Sequence, residues 1–548
     1  MSKNKSPDTN ECQHVSYHRP HWSENGKCSW VDIQLQHKSL NAEANCILPP
    51  TKAIPVIFIP GVMGTNLKNN ISDNPIWRAN WIKGADTLPL VWKNGNERRE
   101  LLNVDTTAVD DRGKIKSSNF TVYSDDGHLF PSREKRHWGE ALYLSYGEFL
   151  DIFQTALVDD WQRDINRMTN PEFAEKLEKT YSIKGILSKL QASSKTDDET
   201  YFTKKELSHF KHFLFPVHVF GYNWLVDNAI SAAQLVKYID KVINTYKYQH
   251  GHGLAVEKVI IVTHSMGGLV ARYASQVLGA KDKILGIVHG VIPDIGSPAA
   301  YRRMKTGAGK EGIPGMVLGD TAEKLMSVLA FAPAPLQLLP SPKYPTNWLK
   351  IEGGESYPKE DPFEEIYLRN DVWWRLYEPD ILDKDQVTIK NNEKSYATLM
   401  RDSVKIFMID IEKGQYHPNT YIFYGEKVKS DGFLTWEKEI VKNPYTRKPV
   451  SLLYNLAPDS KIVQLPGGER CKYTLTQSDT AGDGTVPVES LNEIKKYPLL
   501  KGCLATNVDH QDAYKVSSPY PEEYSEAIKF TLQSIIKIVQ EVDIHAAD

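Results

Sequence analysis

Excess positive charge, cysteine and long apolar runs are all scarce in this chain, and each scarcity removes a class of protein. The 66 lysines and arginines are outnumbered by 69 acidic residues, for a formal net charge of −3. That leaves no polybasic footprint, so no nucleic-acid partner is expected. Cysteine occurs only at Cys12, Cys28, Cys46, Cys471 and Cys503. An odd, scattered set of five builds no disulfide framework. No run approaches the length needed to span a bilayer. The start, Met1-Ser-Lys-Asn-Lys-Ser-Pro-Asp8, is polar and lacks the apolar stretch of a secretory signal. The expectation is a chain made in the cytoplasm without a signal peptide, which leaves, if it leaves, by a route that cleaves none. Metal-binding spacing is missing too. Cys12, His14, His18, His21 and Cys28 crowd together but fit no zinc pattern and read as loop residues. Neither a metal nor a cofactor is expected.

What is present is ordinary globular material: 41% apolar and 25% charged over 548 residues, enough for one large decorated domain or two to three units. Apolar, β-branched runs punctuated by Gly and Pro recur along it. Ile54-Pro-Val-Ile-Phe-Ile-Pro60, Phe215–Phe220, Val259–Val262, Ile284–Val291, Asn419–Gly425 and Leu504–Val508 read as strands. Trp30–Gln36 alternates apolar and polar residues like a half-exposed strand. Helical spacing appears at Tyr146–Trp161, up to about Thr245 and over Pro521–Val539. Strands alternating with helices imply an α/β fold with a mostly parallel, doubly covered central sheet.

Thr263-His264-Ser265-Met266-Gly267 joins the third of these strands to a helix that opens at Gly267-Gly268-Leu269. A serine on a sharp strand–turn–helix bend is the nucleophile elbow of an α/β-hydrolase, with Thr263 in place of the usual first glycine. The turn lifts the serine hydroxyl clear of the sheet and aims the first helical amides beside it. A serine hydroxyl needs a base to take its proton, and the base needs a carboxylate to orient it. In this fold the order is serine, acid, histidine. Asp483, between Gly482 and Gly484 and followed by Thr485-Val-Pro487, is the candidate acid, with Asp479 behind it. His510, after the last strand, is the candidate base; the only later histidine is His545. His264 is a poor base because its place in the elbow directs it away from the serine hydroxyl. For the oxyanion, one amide should come from Met266 and the other from Pro60-Gly-Val-Met-Gly64, from Val62 or preferably Met63.

The expected core comprises residues 51–70, 212–301, 418–428 and 471–545, with 1–50 packed on it. A cap insertion covers 71–211, a lid insertion 302–417 and a hairpin-like insertion 429–470. Within the lid, Asp320-Thr-Ala-Glu323 reads as a capping box before an apolar stripe. The segment continues without charge through Phe331-Ala-Pro-Ala-Pro-Leu-Gln-Leu-Leu-Pro340. Leu325, Val328, Leu329, Phe331, Leu336 and Leu338 are its candidate acyl-chain contacts, since so much apolar surface is seldom exposed without reason. Gly307-Ala-Gly-Lys-Glu-Gly312 spells a dinucleotide fingerprint but follows no strand, and reads as a mobile loop.

Pro60-Gly-Val-Met-Gly-Thr-Asn-Leu67, Gly221-Tyr-Asn-Trp224, Thr263-His-Ser-Met-Gly267, Tyr424-Gly425 and Gly482-Asp-Gly-Thr-Val-Pro487 together resemble lecithin:cholesterol acyltransferase-like hydrolases. That resemblance implies phospholipid substrates and catalytic roles for Ser265, Asp483 and His510. The signal-less start, Gly290-Val-Ile-Pro-Asp-Ile-Gly-Ser-Pro-Ala-Ala-Tyr-Arg302 and the Ala/Pro-rich lid before Leu338-Leu-Pro-Ser-Pro-Lys-Tyr344 are similar to bacterial type VI secretion lipase effectors. This second resemblance implies a phospholipase toxin delivered to the periplasm or membrane of a target cell. It also implies a cognate immunity protein and a secretion spike protein as partners. Acyl transfer, hydrolysis of small soluble esters, and an inactive hydrolase fold serving as a binding scaffold are the alternatives.

Overall fold

The computed structural model describes residues 52–80, 90, 92–116, 130–169, 183, 187, 203–249, 253–311, 315, 319–382, 386–440, 459–465, 470–517 and 524–544, with shorter pieces at 14–18, 21–22, 28–30, 42–46 and 50. Six strands form the central sheet: β1 (Val56–Ile59), β2 (Val217–Val219), β3 (Val259–His264), β4 (Ile284–Gly290), β5 (Thr420–Gly425) and β6 (Leu500–Thr506). Their spatial order is β2-β1-β3-β4-β5-β6, and every neighbouring pair is parallel. The register sets Ile59 beside Thr263 and His264 beside Gly290, so the ends of β1, β3 and β4 come out together. In such sheets the ligand site lies beyond the carboxyl ends of the strands.

The apolar runs are explained by burial on both faces. Every residue of β1, β3 and β4 is buried. Alternate side chains supply two separate cores, as the two-residue strand period requires. Ile57, Ile59 and Ile261 face one core, which also holds Leu235 and Ile239 of α2 (Asn228–Asn244) and Leu269 and Val270 of α3 (Gly267–Arg272). Val56, Phe58, Ile260 and Val262 face the other. There they meet Phe149, Leu150 and Phe153 of α1 (Tyr143–Thr169) and Ile528, Leu532 and Ile535 of α6 (Glu526–Ile538). This is the α/β-hydrolase architecture. The cap assigned to 71–211 therefore needs correcting in part, because α1 lies within that range yet covers a face of the sheet. Its apolar positions pack on strands, not over the serine.

A third core unites the two later insertions. A five-stranded sheet runs in the order Ser356–Tyr357, Leu349–Ile351, Leu434–Ile440, Arg470–Gln477 and Ser460–Gln464. Trp348, Phe363, Tyr367, Trp436 and Tyr473 fill the space beneath it. The strand Arg470–Gln477 thus belongs to this smaller sheet and not to the hydrolase core, where the boundary at 471 had put it. It pairs antiparallel with Leu434–Ile440, and cross-strand pairing outranks chain continuity in assigning it. Buried ion pairs fasten this unit to α4 (Pro298–Thr306): Arg302 Nε donates to Asp431 at 2.7 Å, and Lys305 and Lys461 both bind Glu378. Burial pushes the Lys305 ammonium down, and Glu378 opposes that shift.

Smaller expectations shift as well. The last strand spans Leu500–Thr506, not Leu504–Val508. The helix expected after Asp320 is α5 (Ala322–Leu329), capped by Thr321, whose side chain accepts from the Lys324 amide at 3.3 Å. The cap is one residue later than the Asp320/Glu323 reading. The Gly307 loop is not free: Glu311 binds both Arg302 and Arg303 at 2.9 Å. The strand expected at 31–36 lies outside the described residues, as do Cys12 and the tail from 545.

Gly296 joins strand-end loop to lid. Its φ is +87°, and a Cβ there would sit 2.0 Å from the Leu339 carbonyl oxygen. Gly296→Ala should cost about 3 kcal/mol or more. Gly279→Ala, at φ +74° with nothing within 4 Å, should cost only about 1 kcal/mol. Thermal melts of the two variants check this, and equal shifts would sink the close-packing argument.

Candidate active site

The bend after β3 gives Ser265 a φ of +50°, in the region L-residues rarely adopt. Its amide donates to the Gly290 carbonyl at 2.9 Å, which holds the strained turn against β4. The turn is possible because Gly267 has no side chain: a Cβ there would lie 2.5 Å from the Pro60 carbonyl oxygen and 2.6 Å from that of Ile59. From the other side, a Cβ on Gly61 would lie 3.0 Å from Ser265 Cβ. The loop after β1 and the elbow are thus in backbone contact.

Ser265, Asp483 and His510 come from three distant parts of the chain and meet here. Ser265 Oγ is 2.8 Å from His510 Nε2, and His510 Nδ1 is 2.8 Å from Asp483 Oδ2. A carboxylate can only accept, so His510 Nδ1 carries the hydrogen and Nε2 is left to take the serine proton. The other carboxylate oxygen, Asp483 Oδ1, accepts from the amides of Thr485 (2.9 Å) and Val486 (2.6 Å). This is the turn that Gly484, at φ +91°, permits. The loop is braced from outside: the Gly484 amide donates to Ser430 Oγ at 2.8 Å, and Ser297 Oγ donates to the Thr485 carbonyl at 2.6 Å. The alternative acid, Asp479, lies exposed at the surface and pairs with Lys429 at 2.7 Å.

Met63 and Met266 both border this centre. Met63 has a φ of +62° in a turn closed by the Gly64 amide on the Gly61 carbonyl at 3.0 Å. Its carbonyl accepts from Trp77 Nε1 at 2.8 Å. Among the described residues neither the Met63 nor the Met266 amide donates a hydrogen bond. Both are free to serve a developing oxyanion. The Gly221–Trp224 motif braces Thr65, two residues past Met63, with the Tyr222 amide on Thr65 Oγ1 (3.3 Å) and Trp224 Nε1 on the Thr65 carbonyl (3.2 Å).

The centre is shut, with Ser265 only 3% exposed. Leu325, Val328 and Leu336 are buried, and Leu329, Phe331 and Leu338 half-buried. Val328, Leu329 and Leu338 belong to the same apolar cluster as Met63 and Met266. The helix Gly95–Leu101 clasps α5 from outside: Arg99 stacks over Phe331 at 3.7 Å, and Gly95 abuts Glu323. Sequence reasoning missed two contributors. Tyr146 lies 118 residues from His264, yet its hydroxyl is 2.6 Å from His264 Nδ1. No local signal announces that contact. The clasp by Gly95–Leu101 was equally hidden, although Asn94 and Glu97 form a capping box that marks the helix itself. Among the described residues no group of three or more His, Cys, Asp or Glu side chains could hold a metal ion.

Comparison with known proteins bears on the fold. Residues 189–307 match the family described as a PGAP1-like alpha/beta domain. That stretch contains the elbow but neither Asp483 nor His510. No curated protein matches the chain. The chain is similar to the protein in the crystal structure of the Tle4–Tli4 complex, at 26% identity and a TM-score of 0.69, over 90% of this chain and 99% of that one. Fold and likeness together make the chain a hydrolase of the α/β class. Among the described residues no helix is long and apolar enough to cross a membrane.

Two buried histidines give the fold a pH signature. Burial depresses His264 to about 3, with His510 nearby adding to the effect, and burial depresses His289 to about 3, helped by Arg272 and His417. Their unfolded value is 6.5, so between about pH 6.5 and 3 the unfolded chain binds the extra protons. Stability is therefore full above pH 6.5 and falls as pH drops. The melting temperature should fall between pH 7 and 5, and His289→Gln should flatten that slope. A flat wild-type profile, or an unchanged slope in the variant, would refute the assignment.

Proposed function

We propose that this chain is a serine lipase of the phospholipase A1 or A2 type. On this reading it cleaves acyl esters of membrane phospholipids through an acyl-enzyme, as a type VI secretion toxin acting in the periplasm or membrane of a target cell. The observation that carries the reading is the Ser265–His510–Asp483 chain of hydrogen bonds, 2.8 Å at each link, at a serine only 3% exposed. The similar protein was crystallised as one half of the Tle4–Tli4 pair. This supports a dedicated protein partner, here a cognate immunity protein; a secretion spike protein as the carrier is part of the same proposal.

The chemistry follows from the geometry. His510 Nε2 takes the Ser265 hydroxyl proton as Oγ bonds to the ester carbonyl carbon. The carbonyl π electrons move onto oxygen, and the Met63 and Met266 amides donate hydrogen bonds to the oxyanion. Asp483 stabilises the imidazolium that forms. Collapse of the intermediate breaks the ester C–O bond, and the lysophospholipid oxygen takes the proton from His510. Water then repeats the sequence: His510 deprotonates it, it adds to the acyl-enzyme, and fatty acid leaves as Ser265 regains its proton. Acyl transfer shares the first half, with an alcohol in place of water.

Two tests address this reading. Asp483→Asn keeps the side-chain shape but lets Nδ1 lose its hydrogen. It should lower kcat by about 10³–10⁴-fold, with Ser265→Ala lower still. A mass spectrum of products from a mixed-chain phospholipid should show lysophospholipid and free fatty acid. Acylated alcohol in place of fatty acid would favour transfer, and folded wild-type protein that fails to label with a fluorophosphonate would favour a scaffold. The cover is tested by a disulfide. Gly95 lies against Glu323, within reach of a bridge, so oxidised Gly95→Cys/Glu323→Cys should lose vesicle hydrolysis and regain it on reduction. Full activity in the oxidised form would show that α5 need not leave the Gly95–Leu101 helix.

A further inference from the structure

His264 is excluded as the base, yet it is buried at the centre of the site with both ring nitrogens engaged. Nδ1 is 2.6 Å from the Tyr146 hydroxyl, and Nε2 is 2.8 Å from the His510 carbonyl oxygen. The Tyr146 oxygen also accepts from the Gly61 amide at 3.2 Å. The ends of this chain dictate its direction. An amide N–H can only donate and a carbonyl can only accept. Nε2 therefore carries the hydrogen, Nδ1 is bare, and the Tyr146 hydroxyl must donate to it. The order is Gly61 N–H to Tyr146 O–H to His264 to the His510 carbonyl, with no donor left over. It needs a neutral ring, and burial that depresses His264 to about 3 keeps it neutral.

Each end of the chain touches a part that must be held in place. Gly61 begins the turn that carries Met63 and lies in contact with Ser265. His510 is gripped at both backbone ends: its amide donates to the Asp483 carbonyl at 2.8 Å, and its carbonyl accepts from His264. The middle is Tyr146, on α1. Its ring packs against Phe58 of β1 with centroids 5.1 Å apart, so its position follows that helix. A Cβ on Gly64 would come within 2.8 Å of the Tyr146 hydroxyl, so the turn is shaped to admit it.

We infer that Tyr146 and His264 are positioning residues. Their one-way chain of hydrogen bonds sets the oxyanion turn and the base in register and makes that register depend on the seating of α1. The inference rests on the reading of Ser265, Asp483 and His510 as the catalytic set. Neither residue touches substrate. Each acts by denying the Gly61 turn and His510 the small displacements that misalign a transition state, where a shift near 1 Å costs about a hundredfold. Removing the Tyr146 hydroxyl leaves a buried amide and a buried ring nitrogen without partners. The turn then moves to satisfy them.

The test uses the full chain, a soluble short-chain nitrophenyl ester, and active sites counted by fluorophosphonate labelling. In Tyr146→Phe, which keeps the ring packing, kcat per labelled site should fall about tenfold while KM stays within about twofold. His264→Phe should fall at least as far. His264→Gln, whose amide N–H still reaches the His510 carbonyl, should recover part of the loss. Counting sites removes misfolded protein from the comparison. Wild-type kcat per site in Tyr146→Phe, or no difference between His264→Gln and His264→Phe, overturns the inference and leaves the catalytic reading intact. Wild-type protein that neither labels nor turns over ester defeats both.

Discussion

Backbone contact between the elbow and the loop after β1 is the constraint on which the rest of the site depends. Gly267 presses on the carbonyls of Ile59 and Pro60, and Gly61 presses on Ser265. The approach at Gly267 leaves no room for a methyl group, and the one at Gly61 is tight at 3.0 Å. The contact coincides with a φ of +50° on Ser265 and +62° on Met63. Such strain persists only where the surroundings over-determine it. Here the Gly290 carbonyl, Trp77 and Tyr146 supply the determination, each by a hydrogen bond from a different element.

The three partners of the catalytic set are held unequally. Ser265 is held by its own strand. Asp483 and His510 sit in loops, and their loops are fixed by hydrogen bonds to residues of other segments: Ser430, Ser297 and Arg303 on the acid side, His264 on the base side. Ser297 lies just before the lid insertion, Arg303 at its start, and Ser430 at the start of the next insertion. The insertions therefore reach the acid loop. Their shared sheet, with its buried Arg302–Asp431 and Lys305–Glu378–Lys461 contacts, forms the outer wall that steadies the acid loop. A cover that opened by unfolding this wall would loosen Asp483. Movement confined to α5 and its contact with Gly95–Leu101 would not.

Much of the core was legible because it rests on local rules. Runs such as Val259–Val262 are buried on both sides and so are apolar throughout, and turn chemistry with the order serine, acid, histidine pointed to Asp483 ahead of Asp479 and to His510 after the last strand. Legibility failed wherever a segment's partner was remote. Tyr146–Trp161 showed helical spacing, but spacing does not say which surface the apolar stripe meets, and α1 met the sheet. Arg470–Gln477 looked like part of the core because it precedes Asp483, but its hydrogen bonds go to Leu434–Ile440. The helix cap fell on Thr321 and not on Asp320 because either side chain can accept an amide, and only the backbone path decides between them.

The sequence by itself determined an α/β-hydrolase with a serine elbow, an acid and a base in order, because strand burial, turn chemistry and chain order are written in neighbouring residues. It also determined an apolar segment, 331–338, that had to be covered. The tertiary structure alone decided that Ser265 is buried at 3% exposure, that two insertions share one sheet, and that His264 has a neutral ring with its hydrogen on Nε2. Those outcomes depend on groups such as Tyr146 and His510, which reach His264 from 118 and 246 residues away. A hydrogen bond's direction is settled only when both of its ends are in place.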